Sequence, residues 1–362
     1  MVDLKRLELS TSRMRTERSA EWYTKRALEY RFFSSMVPRT GNALDQQSII
    51  RLDQQFMGGE TKMPQFTSRE HFIPRFLLDN FTNSLGFLCG LDVRCPNEPF
   101  LRQPANICYE KDFYEIRNVD KHRSYYKRNC IEQDFAEKEG AIAPIFRRLL
   151  EHLELEVTLD YTDISCAYWM IALQLIRTPR LKKTIYKRAE HGPRNEMLSH
   201  AMYLVTVGKK DAANEYLQAN GIQLSDKQYN IALNKEPLEI EVLRMLTERC
   251  TLFVGRAEEN TMFILSDEPV IIDPDERTKY IFPISPRYAL FVHWLNSPHR
   301  RMMIYAGDCE CKVVSRERVE EVNLLSIQNA ERFVFCSPEY QKTVLRLIAT
   351  VQNEGKNELG IQ

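Results

Sequence analysis

The chain has 362 residues, of which 43% are hydrophobic and 28% are charged, a composition typical of a globular protein with one large domain or two modest ones. Lys and Arg total 50, as do Asp and Glu, and this net charge of zero argues against a non-specific nucleic-acid coat while leaving open an enzyme that acts on nucleic acid. The chain has no apolar run of about 18 residues and no secretory signal, and its nine scattered cysteines indicate a reduced, soluble cytoplasmic protein with free thiols.

Residues 1–62 form a predicted N-terminal extension. Within it, residues 17–33 have the charge and spacing of an exposed amphipathic helix, which is a candidate surface for a partner protein. Gly58 and Gly59 then interrupt the chain. We therefore expect three parts, which are the extension over 1–62, a single α+β body over 63–345 and a polar C-terminal tail over 346–362.

The body opens on a segment that runs from His71 to Phe81. Pro74 suits a first helical turn, because the N–H that proline lacks would be unpaired there. Leu77, Leu78 and Phe81 continue an apolar stripe at helical spacing. We predict a helix that Pro74 opens, with His71 as a polar side chain just ahead of it.

A helical region follows a predicted strand over 87–93 and a short aromatic-rich segment over 107–114. The helices are predicted from the spacing of apolar residues, and they cover 130–153, 162–188, 195–207, 211–220 and 238–249. We expect Pro144 to end or kink the first of them and Pro179 the second, because proline removes a helical hydrogen bond.

After Cys250 the pattern changes to the β-branched and aromatic runs typical of strands. The predicted strands cover 251–255, 263–265, 280–284 and 289–292, and a helix over 317–335 follows. Cys309 and Cys311 lack the second ligand pair that a zinc ribbon needs, so alternation along a strand is the preferred interpretation. The predicted fold class is α+β, with a helical middle packed on a small, antiparallel β-sheet.

Several short motifs occur in an order that is more specific than any one of them. They are His71-x-x-Pro74-x-x-x-Leu78-x-x-Phe81, Ile131-Glu132 with Glu139, Gln174-Leu175-Ile176-Arg177-Thr178-Pro179, Phe263-Ile264-Leu265-Ser266-Asp267-Glu268-Pro269, Pro283-Ile284-Ser285-Pro286 and the stretch over 323–335. In this order the chain resembles the uncharacterised family known as domain of unknown function 4238, over residues of about 69–336. Phe72 and Glu268 depart from the pattern, where Tyr and Asn are expected. Because the family is uncharacterised, the resemblance identifies positions that are candidates for a site and implies no mechanism.

His71 and two glutamates of the first long helix are candidate acid–base groups. A histidine near a helix N-terminus is kept neutral by the macrodipole, and a neutral imidazole serves as a base, as a metal ligand or as a structural donor to a backbone carbonyl. Glu132 and Glu139 are seven positions apart and so share one helical face. Paired carboxylates hold a divalent cation or transfer protons, and otherwise they lie on a solvated face.

Gln174 and Arg177 are three positions apart on a strongly apolar helix. A polar pair in such surroundings needs partners, because an unpaired buried charge is costly. Glu132 or Glu139 is the expected partner of Arg177, since consecutive helices are usually neighbours. The outcome is either a structural network or a site in which Arg177 holds a phosphate or carboxylate.

The predicted strand over 263–265 ends in Ser266-Asp267-Glu268-Pro269. Such residues are common in plain turns, and strand-end loops also frequently carry catalytic groups. Ser285, between two prolines, is expected to support the same loop.

Four catalytic motifs are absent from the chain. They are Gly-x-x-x-x-Gly-Lys-Ser/Thr, Gly-x-Gly-x-x-Gly, His-Glu-x-x-His and Gly-x-Ser-x-Gly. Their absence weighs against a P-loop NTPase, a dinucleotide-dependent enzyme, a zincin and an α/β-hydrolase.

The leading hypothesis is a polar pocket between the helical half and the sheet. Its catalytic residues are predicted to be His71, Glu132, Glu139, Arg177 and Asp267, and its substrate-binding residues Gln174 and Ser266. This mixture suits hydrolysis at phosphorus, with or without a divalent cation. We therefore predict a nuclease-like hydrolase of phosphodiester bonds in nucleic acid or another phosphate-containing substrate, such as a toxin or phage-defence effector, with no membrane partner.

The alternative hypothesis is a non-catalytic binding or regulatory protein. In it the same polar residues form a buried structural network, and residues 17–33 bind a partner protein. An open cleft favours the enzyme and a closed, fully paired cluster favours the alternative.

Overall fold

A computed structural model describes residues 68–117, 125–187, 192–225, 236–274, 278–295 and 309–358. The chain divides into two compact units, of which one is Met63–Ala349 and the other is Met1–Lys62 with Thr350–Gln362. The predicted extension and its helix over 17–33 lie outside the described residues. The division into extension, body and tail stays a prediction.

The described residues form an α+β fold, as predicted, in which a run of helices, α2 to α7, lies between two groups of strands. The strands are β1 (Arg69–His71), β2 (Leu88–Asp92), β3 (Phe100–Arg102), β4 (Tyr109–Lys111), β5 (Ile116–Arg117), β6 (Tyr125–Tyr126), β7 (Cys250–Ala257), β8 (Leu265–Ser266), β9 (Thr278–Pro283), β10 (Tyr288–Trp294), β11 (Glu310–Val314) and β12 (Phe333–Cys336). The helices are α1 (Arg75–Leu78), α2 (Cys130–Glu154), α3 (Tyr161–Arg177), α4 (Pro179–Tyr186), α5 (Pro193–Thr206), α6 (Lys210–Ala219), α7 (Leu238–Arg249), α8 (Arg316–Asn329) and α9 (Gln341–Glu358). In this part of the chain, no helix has the length and apolar character to cross a membrane.

Pro74 precedes α1, as its fixed φ predicts. The helix is only one turn long, and a 3-10 turn over Asp79–Phe81 continues it. Leu77, Leu78 and Phe81 are fully buried, and each such side chain contributes about 1.5–3 kcal/mol of hydrophobic free energy to the folded state. The apolar stripe predicted from the sequence therefore packs in the hydrophobic core and holds this segment in place.

Of the two outcomes expected at Pro144, an end of the helix is wrong, because α2 runs on to Glu154, and a kink stays a prediction. Proline removes the hydrogen bond that the carbonyl of Gly140 would accept. Gly140 and Pro144 are both exposed, so water can bind this carbonyl instead. The helix buries its opposite side, including Phe135, Phe146 and Leu149, and this packing holds it together.

Pro179 ends the second predicted helix, as expected, and starts the next one. Thr178 is extended (φ −74°, ψ 152°), the conformation that a following proline favours, and α4 then begins on Pro179. At the other end, Asp160 and Asp163 form a reciprocal capping box that starts α3. The break makes Arg177 the last residue of α3, a mostly buried helix.

One four-stranded sheet has the strand order β11-β7-β10-β9. Strand β10 is antiparallel to both of its neighbours, whereas β11 is parallel to β7. The prediction of an antiparallel sheet is therefore right for three strands and wrong for β11. The inner face of this sheet packs against α8 through Phe263, Phe291, Val319 and Val322.

A second four-stranded sheet has the strand order β3-β2-β12-β8 and is antiparallel throughout. The predicted helix over 317–335 is wrong at its end, because α8 stops at Asn329 and residues 333–336 form β12. Gly90 permits the close packing of β3, since a Cβ atom there would lie 2.3 Å from Cζ of Phe100. Two further strand pairs, β1 with β4 and β5 with β6, lie outside these sheets.

Candidate active site

Strand β1 places Glu70 and His71 on opposite sides, because successive side chains of a strand alternate. Its pairing with β4 sets His71 opposite Tyr109. Glu70 is fully buried and His71 is half-buried. The polar cluster of the protein is therefore built around the end of β1.

Arg177, the last residue of α3, bonds to α2, to β1 and to the segment between β4 and β5, and its side chain is only 2% exposed. Its guanidinium forms an ion pair with Glu139 on α2. It also donates to the backbone carbonyl of His71 (2.6 Å) and to the hydroxyl of Tyr114 (3.3 Å). The ring of Phe135 lies 4.7 Å from the guanidinium carbon. All three guanidinium nitrogens are thus bound within the protein.

Glu132 borders the same cluster from the first turn of α2. It is half-buried, and its Oε2 atom has no hydrogen-bond partner among the described residues. Burial raises the pKa of Glu132 to about 7, and the charges of Glu139 and Glu115 add to this effect while Arg177 opposes it. The carboxyl group therefore gains and loses a proton near neutral pH.

The imidazole of His71 is neutral at neutral pH, as predicted, but for a different reason. Burial is the main cause that lowers its pKa, and the positive charges of Arg75, Arg177 and Arg69 add to it. Because His71 lies on a strand, the helix dipole proposed from the sequence is not the cause. The ring donates to the backbone of Ala105, and its Nε2 atom has no partner among the described residues.

Glu70 and Glu115 form a carboxyl pair that the sequence did not predict. Their side chains share a hydrogen bond, which requires a proton, and burial raises the pKa of Glu70 to about 8. The backbone N–H of Tyr114 donates to Glu70 (2.5 Å), and that of Asn129 donates to Glu115 (2.6 Å). The pair thus holds the β4–β5 segment against the start of α2.

Lys182 of α4 also belongs to the cluster, where it lies near Glu70 and Glu115. Its ammonium donates to the backbone carbonyl of Phe113 and lies 4.6 Å from the centre of that ring and 5.6 Å from the ring of Tyr203. Burial lowers the pKa of Lys182 to about 8, against the opposing charges of Glu70 and Glu115. The Tyr203 hydroxyl is buried and has no hydrogen-bond partner among the described residues.

Gln174 holds the segment after β1 in place. Its side-chain amide is buried and donates to the backbone carbonyl of Phe72 (2.7 Å). Together with the bond from Arg177 to His71, it fixes two successive carbonyls of the chain. Gln174 therefore sits beside the cluster, where its amide positions the backbone.

Asp267 lies in a different network, at the turn after β8. Its carboxylate accepts from the backbone N–H groups of Glu331 (2.8 Å), Arg332 (2.8 Å) and Phe333 (2.9 Å). Burial raises the pKa of Asp267, and these three bonds oppose the rise. The described side-chain hydrogen bonds of Asp267 go to residues 331–333 and not to His71, although burial, together with the charge of Asp267, raises the pKa of Cys108.

The residues beside Asp267 complete this turn. The Ser266 hydroxyl donates to the carbonyl of Glu268 (2.7 Å). The Glu268 carboxylate accepts the backbone N–H of Arg180 (3.0 Å) and a bond from Thr178, so it caps the start of α4. Ser285, expected to support the same loop, instead accepts from the backbone N–H of Tyr288 (3.0 Å) within its own turn.

The structure thus separates the predicted residues into two groups. One group lies around the end of β1 and comprises His71, Glu132, Glu139, Arg177 and Gln174. The other comprises Ser266 and Asp267, which lie in the turn after β8 and bond to the start of β12. Sequence reasoning missed Glu70, Glu115, Lys182 and Tyr203. Only Glu70 carried a signal, because alternation along a strand turns one of two adjacent polar residues inward.

Within the described part of the chain, no group of three or more His, Cys, Asp or Glu side chains has the arrangement to hold a metal ion. Of the carboxylates in the cluster, Glu70 and Glu115 accept from backbone N–H groups and Asn129, and Glu139 is paired with Arg177. Glu132 has one oxygen without a partner among the described residues.

Comparison with known proteins agrees with the motif order. No curated protein and no solved structure is found to match the chain. A family model described as a protein of unknown function (DUF4238) matches residues 69–339, a range that includes both polar networks. The chain therefore belongs to this DUF4238 family.

Proposed function

We propose that the cluster at the end of β1 performs acid–base hydrolysis of a phosphodiester bond, with Glu132 and His71 as the proton-transfer groups. The observation that carries the proposal is the state of Glu132. Its pKa is about 7 and one of its buried oxygens has no partner among the described residues. An acid whose pKa lies near the working pH is the most effective proton donor in catalysis.

His71 supplies the complementary group. Its pKa is lowered, so the imidazole is neutral, and we assign its buried Nε2 atom, which has no hydrogen-bond partner among the described residues, as the proton acceptor. In the proposed reaction His71 activates the attacking water and Glu132 protonates the leaving oxygen. A pair of groups whose surroundings push their pKa values apart is a common basis for assigning base and acid.

The charges around His71 support an anionic substrate. Arg69 and Arg75 are both exposed, and both act electrostatically on the imidazole. Guanidinium groups are well suited to bind phosphate oxygens. Arg177 is already bound to Glu139, Tyr114 and the backbone, so we assign it a positioning role instead of the phosphate-binding role considered from the sequence.

A nuclease acting on nucleic acid in the cytoplasm, such as a toxin or phage-defence effector, is the specific form of this proposal. The nine free cysteines support a reducing compartment. Because the net charge of the whole chain is zero, we assign the attraction of a nucleic-acid backbone to the local positive charges of Arg69 and Arg75.

The test is a phosphodiesterase assay on bis-(p-nitrophenyl) phosphate, single-stranded and duplex DNA, and RNA. We expect cleavage of at least one substrate, with a loss of roughly 100-fold or more in Glu132→Gln and in His71→Asn. Glu137→Gln is the matched control, because Glu137 lies exposed on the same helix. Folded variants with wild-type rates, or no cleavage by the wild type, would overturn the proposal.

One observation favours the non-catalytic alternative, in which the cluster is a structural network. Every nitrogen of the Arg177 guanidinium is bound within the protein, as in a closed network. This alternative predicts no cleavage at all and a loss of stability in His71→Asn. Its partner surface, residues 17–33, lies outside the described residues.

A further inference from the structure

Two cysteines face each other across the second sheet. Cys89 of β2 and Cys336 of β12 are direct partners in an antiparallel register. Both are free thiols, 0% and 1% exposed, and they hydrogen-bond to each other. Directly opposite residues of an antiparallel pair project to the same face, with Cβ atoms about 4.5–5.5 Å apart.

This placement fits the geometry of a disulfide. A disulfide bond joins residues whose Cα atoms lie about 4.4–6.8 Å apart, a range that covers opposite residues of neighbouring strands. Among the described strand registers, this is the one position at which two cysteines are paired, because Cys250 faces Trp294 and Cys311 faces Val254.

We propose that Cys89 and Cys336 are an oxidative modification site, at which a peroxide converts the two thiols into an intramolecular disulfide bond. The site is independent of the proposed hydrolysis, since neither cysteine contacts the cluster at β1 in any described interaction.

The reaction proceeds in two balanced steps. The Cys89 sulfur, as thiolate, attacks one peroxide oxygen; the O–O bond breaks, a sulfenic acid forms, and the leaving hydroxide takes up a proton to become water. The Cys336 sulfur then attacks the sulfenic sulfur, its proton leaves with the displaced hydroxyl as a second water, and the S–S bond forms. Two thiols are oxidised and one peroxide is reduced to two waters.

The hydrogen bond sets the order of attack. It lowers the pKa of Cys89 and raises that of Cys336, so Cys89 is the better nucleophile and Cys336 the resolving thiol. Both thiols are buried, so oxidation is expected to be slower than at the exposed Cys95 and Cys311.

The disulfide would link β2 covalently to β12, two strands that are far apart in the sequence. A disulfide that closes a long loop restricts the unfolded chain, so it stabilises the folded state. We expect the oxidised protein to unfold at a temperature roughly 5 °C or more above that of the reduced protein.

The experiment uses the full chain. Native alkylation with iodoacetamide first blocks the exposed Cys95 and Cys311, and hydrogen peroxide is then added. After unfolding, the remaining thiols are labelled with N-ethylmaleimide, and the protein is digested and analysed by mass spectrometry. Cys89→Ser and Cys336→Ser are the test variants. Cys166→Ser is the matched control, because that buried thiol has no cysteine opposite it among the described residues and bonds the backbone of Ile142.

The expected result is a linked peptide that contains Cys89 and Cys336 and that dithiothreitol releases. The rise in unfolding temperature should appear in the wild type and in Cys166→Ser and be absent from both test variants. Full labelling of both thiols by N-ethylmaleimide after oxidation, or separate sulfinic acids on each, would overturn the proposal. The linked peptide is read from the wild type, so the result does not depend on the folding of any variant.

Discussion

Three glutamates of α2 show that position within the cluster, and not residue type, decides what a carboxyl group does. Glu137 is exposed to solvent, and Glu139 is committed to the Arg177 ion pair. Glu132 is half-buried with an unpartnered oxygen, and its pKa rises to about 7. Glu132 is therefore the one of these three that we assign to proton transfer.

Glu132→Gln should stabilise the protein at alkaline pH and have little effect at acid pH. The pKa of Glu132 is raised from 4.5 to about 7 on folding, so the stability that its protonated form contributes is full below 4.5 and is lost as the pH rises through 7. Glutamine mimics the protonated form and does not ionise. We expect the variant to exceed the wild type by about 1–3 kcal/mol at about pH 8, in urea unfolding experiments, and to match it at about pH 5. Glu137→Gln is the control, and parallel stability curves for Glu132→Gln and the wild type would refute the assignment.

Arg177→Met should unfold the protein more easily, because it leaves the carbonyl of His71 and the carboxylate of Glu139 without their donor. Breaking a buried ion pair costs about 3–5 kcal/mol. Arg177→Lys should recover little, since one ammonium does not replace three separate guanidinium donors. Adding Glu139→Gln to Arg177→Met should recover part of the loss, measured by the same urea unfolding. A double variant no more stable than Arg177→Met would show that Glu139 is not the partner that matters.

At the scale of elements, the turn after β8 is a structural connector. Asp267 binds three successive backbone N–H groups before β12, while Glu268 caps α4. This explains why the chain leaves the helical conformation after Asn329, where the sequence pattern predicted that the helix would continue. Glu268 stands where the family pattern has Asn, and its carboxylate accepts the backbone N–H of Arg180.

Asp267→Asn should therefore lower stability and leave chemistry at the β1 cluster unchanged. The amide of the variant has one oxygen, which can still accept from Arg332 and Phe333, whereas its NH2 group is a donor and cannot accept the N–H group of Glu331. We expect a loss of about 1–3 kcal/mol, the cost of a buried donor left without its acceptor. Thermal unfolding measures the loss. A stable variant that has lost phosphodiester cleavage would return Asp267 to the catalytic role predicted from the sequence.

At the scale of the whole molecule, buried carboxyl groups set the dependence of stability on pH. Glu70, Glu132 and Glu268 have pKa values raised to about 8, 7 and 7. Each therefore contributes stability below 4.5 that is lost as the pH rises through its folded value. Lys182 acts oppositely: its pKa is lowered to about 8, so its contribution is present above 10.5 and is lost as the pH falls through 8.

We therefore expect the free energy of unfolding to fall as the pH rises from about 5 to about 8, because three carboxyl groups outweigh Lys182, His71 and His200, whose lowered pKa values act in the opposite direction. Urea unfolding at a series of pH values measures it. Stability that increases over this range would show that the carboxyl groups are ionised without penalty in the folded protein.

The sequence predicted the fold class, most helices and the meeting of α2 with Arg177, because those depend on apolar spacing and on helices that follow each other in the chain. It missed Glu70, Glu115 and Lys182, since their proximity depends on the pairing of β1 with β4 and on the packing of α4, which involve residues distant in the chain. It grouped Asp267 with His71 because both stand in unusual motifs, and the structure gives them separate networks. Motif order locates unusual residues without indicating which of them touch.

The proposed hydrolysis requires Glu132 to exchange a proton near neutral pH. An NMR titration of side-chain carboxyl carbons in the isotope-labelled full chain measures this, with Glu132 assigned as the resonance missing from Glu132→Gln. We expect a titration midpoint of about 7 for Glu132. A midpoint near 4.5, the value of an unperturbed glutamate, would contradict it.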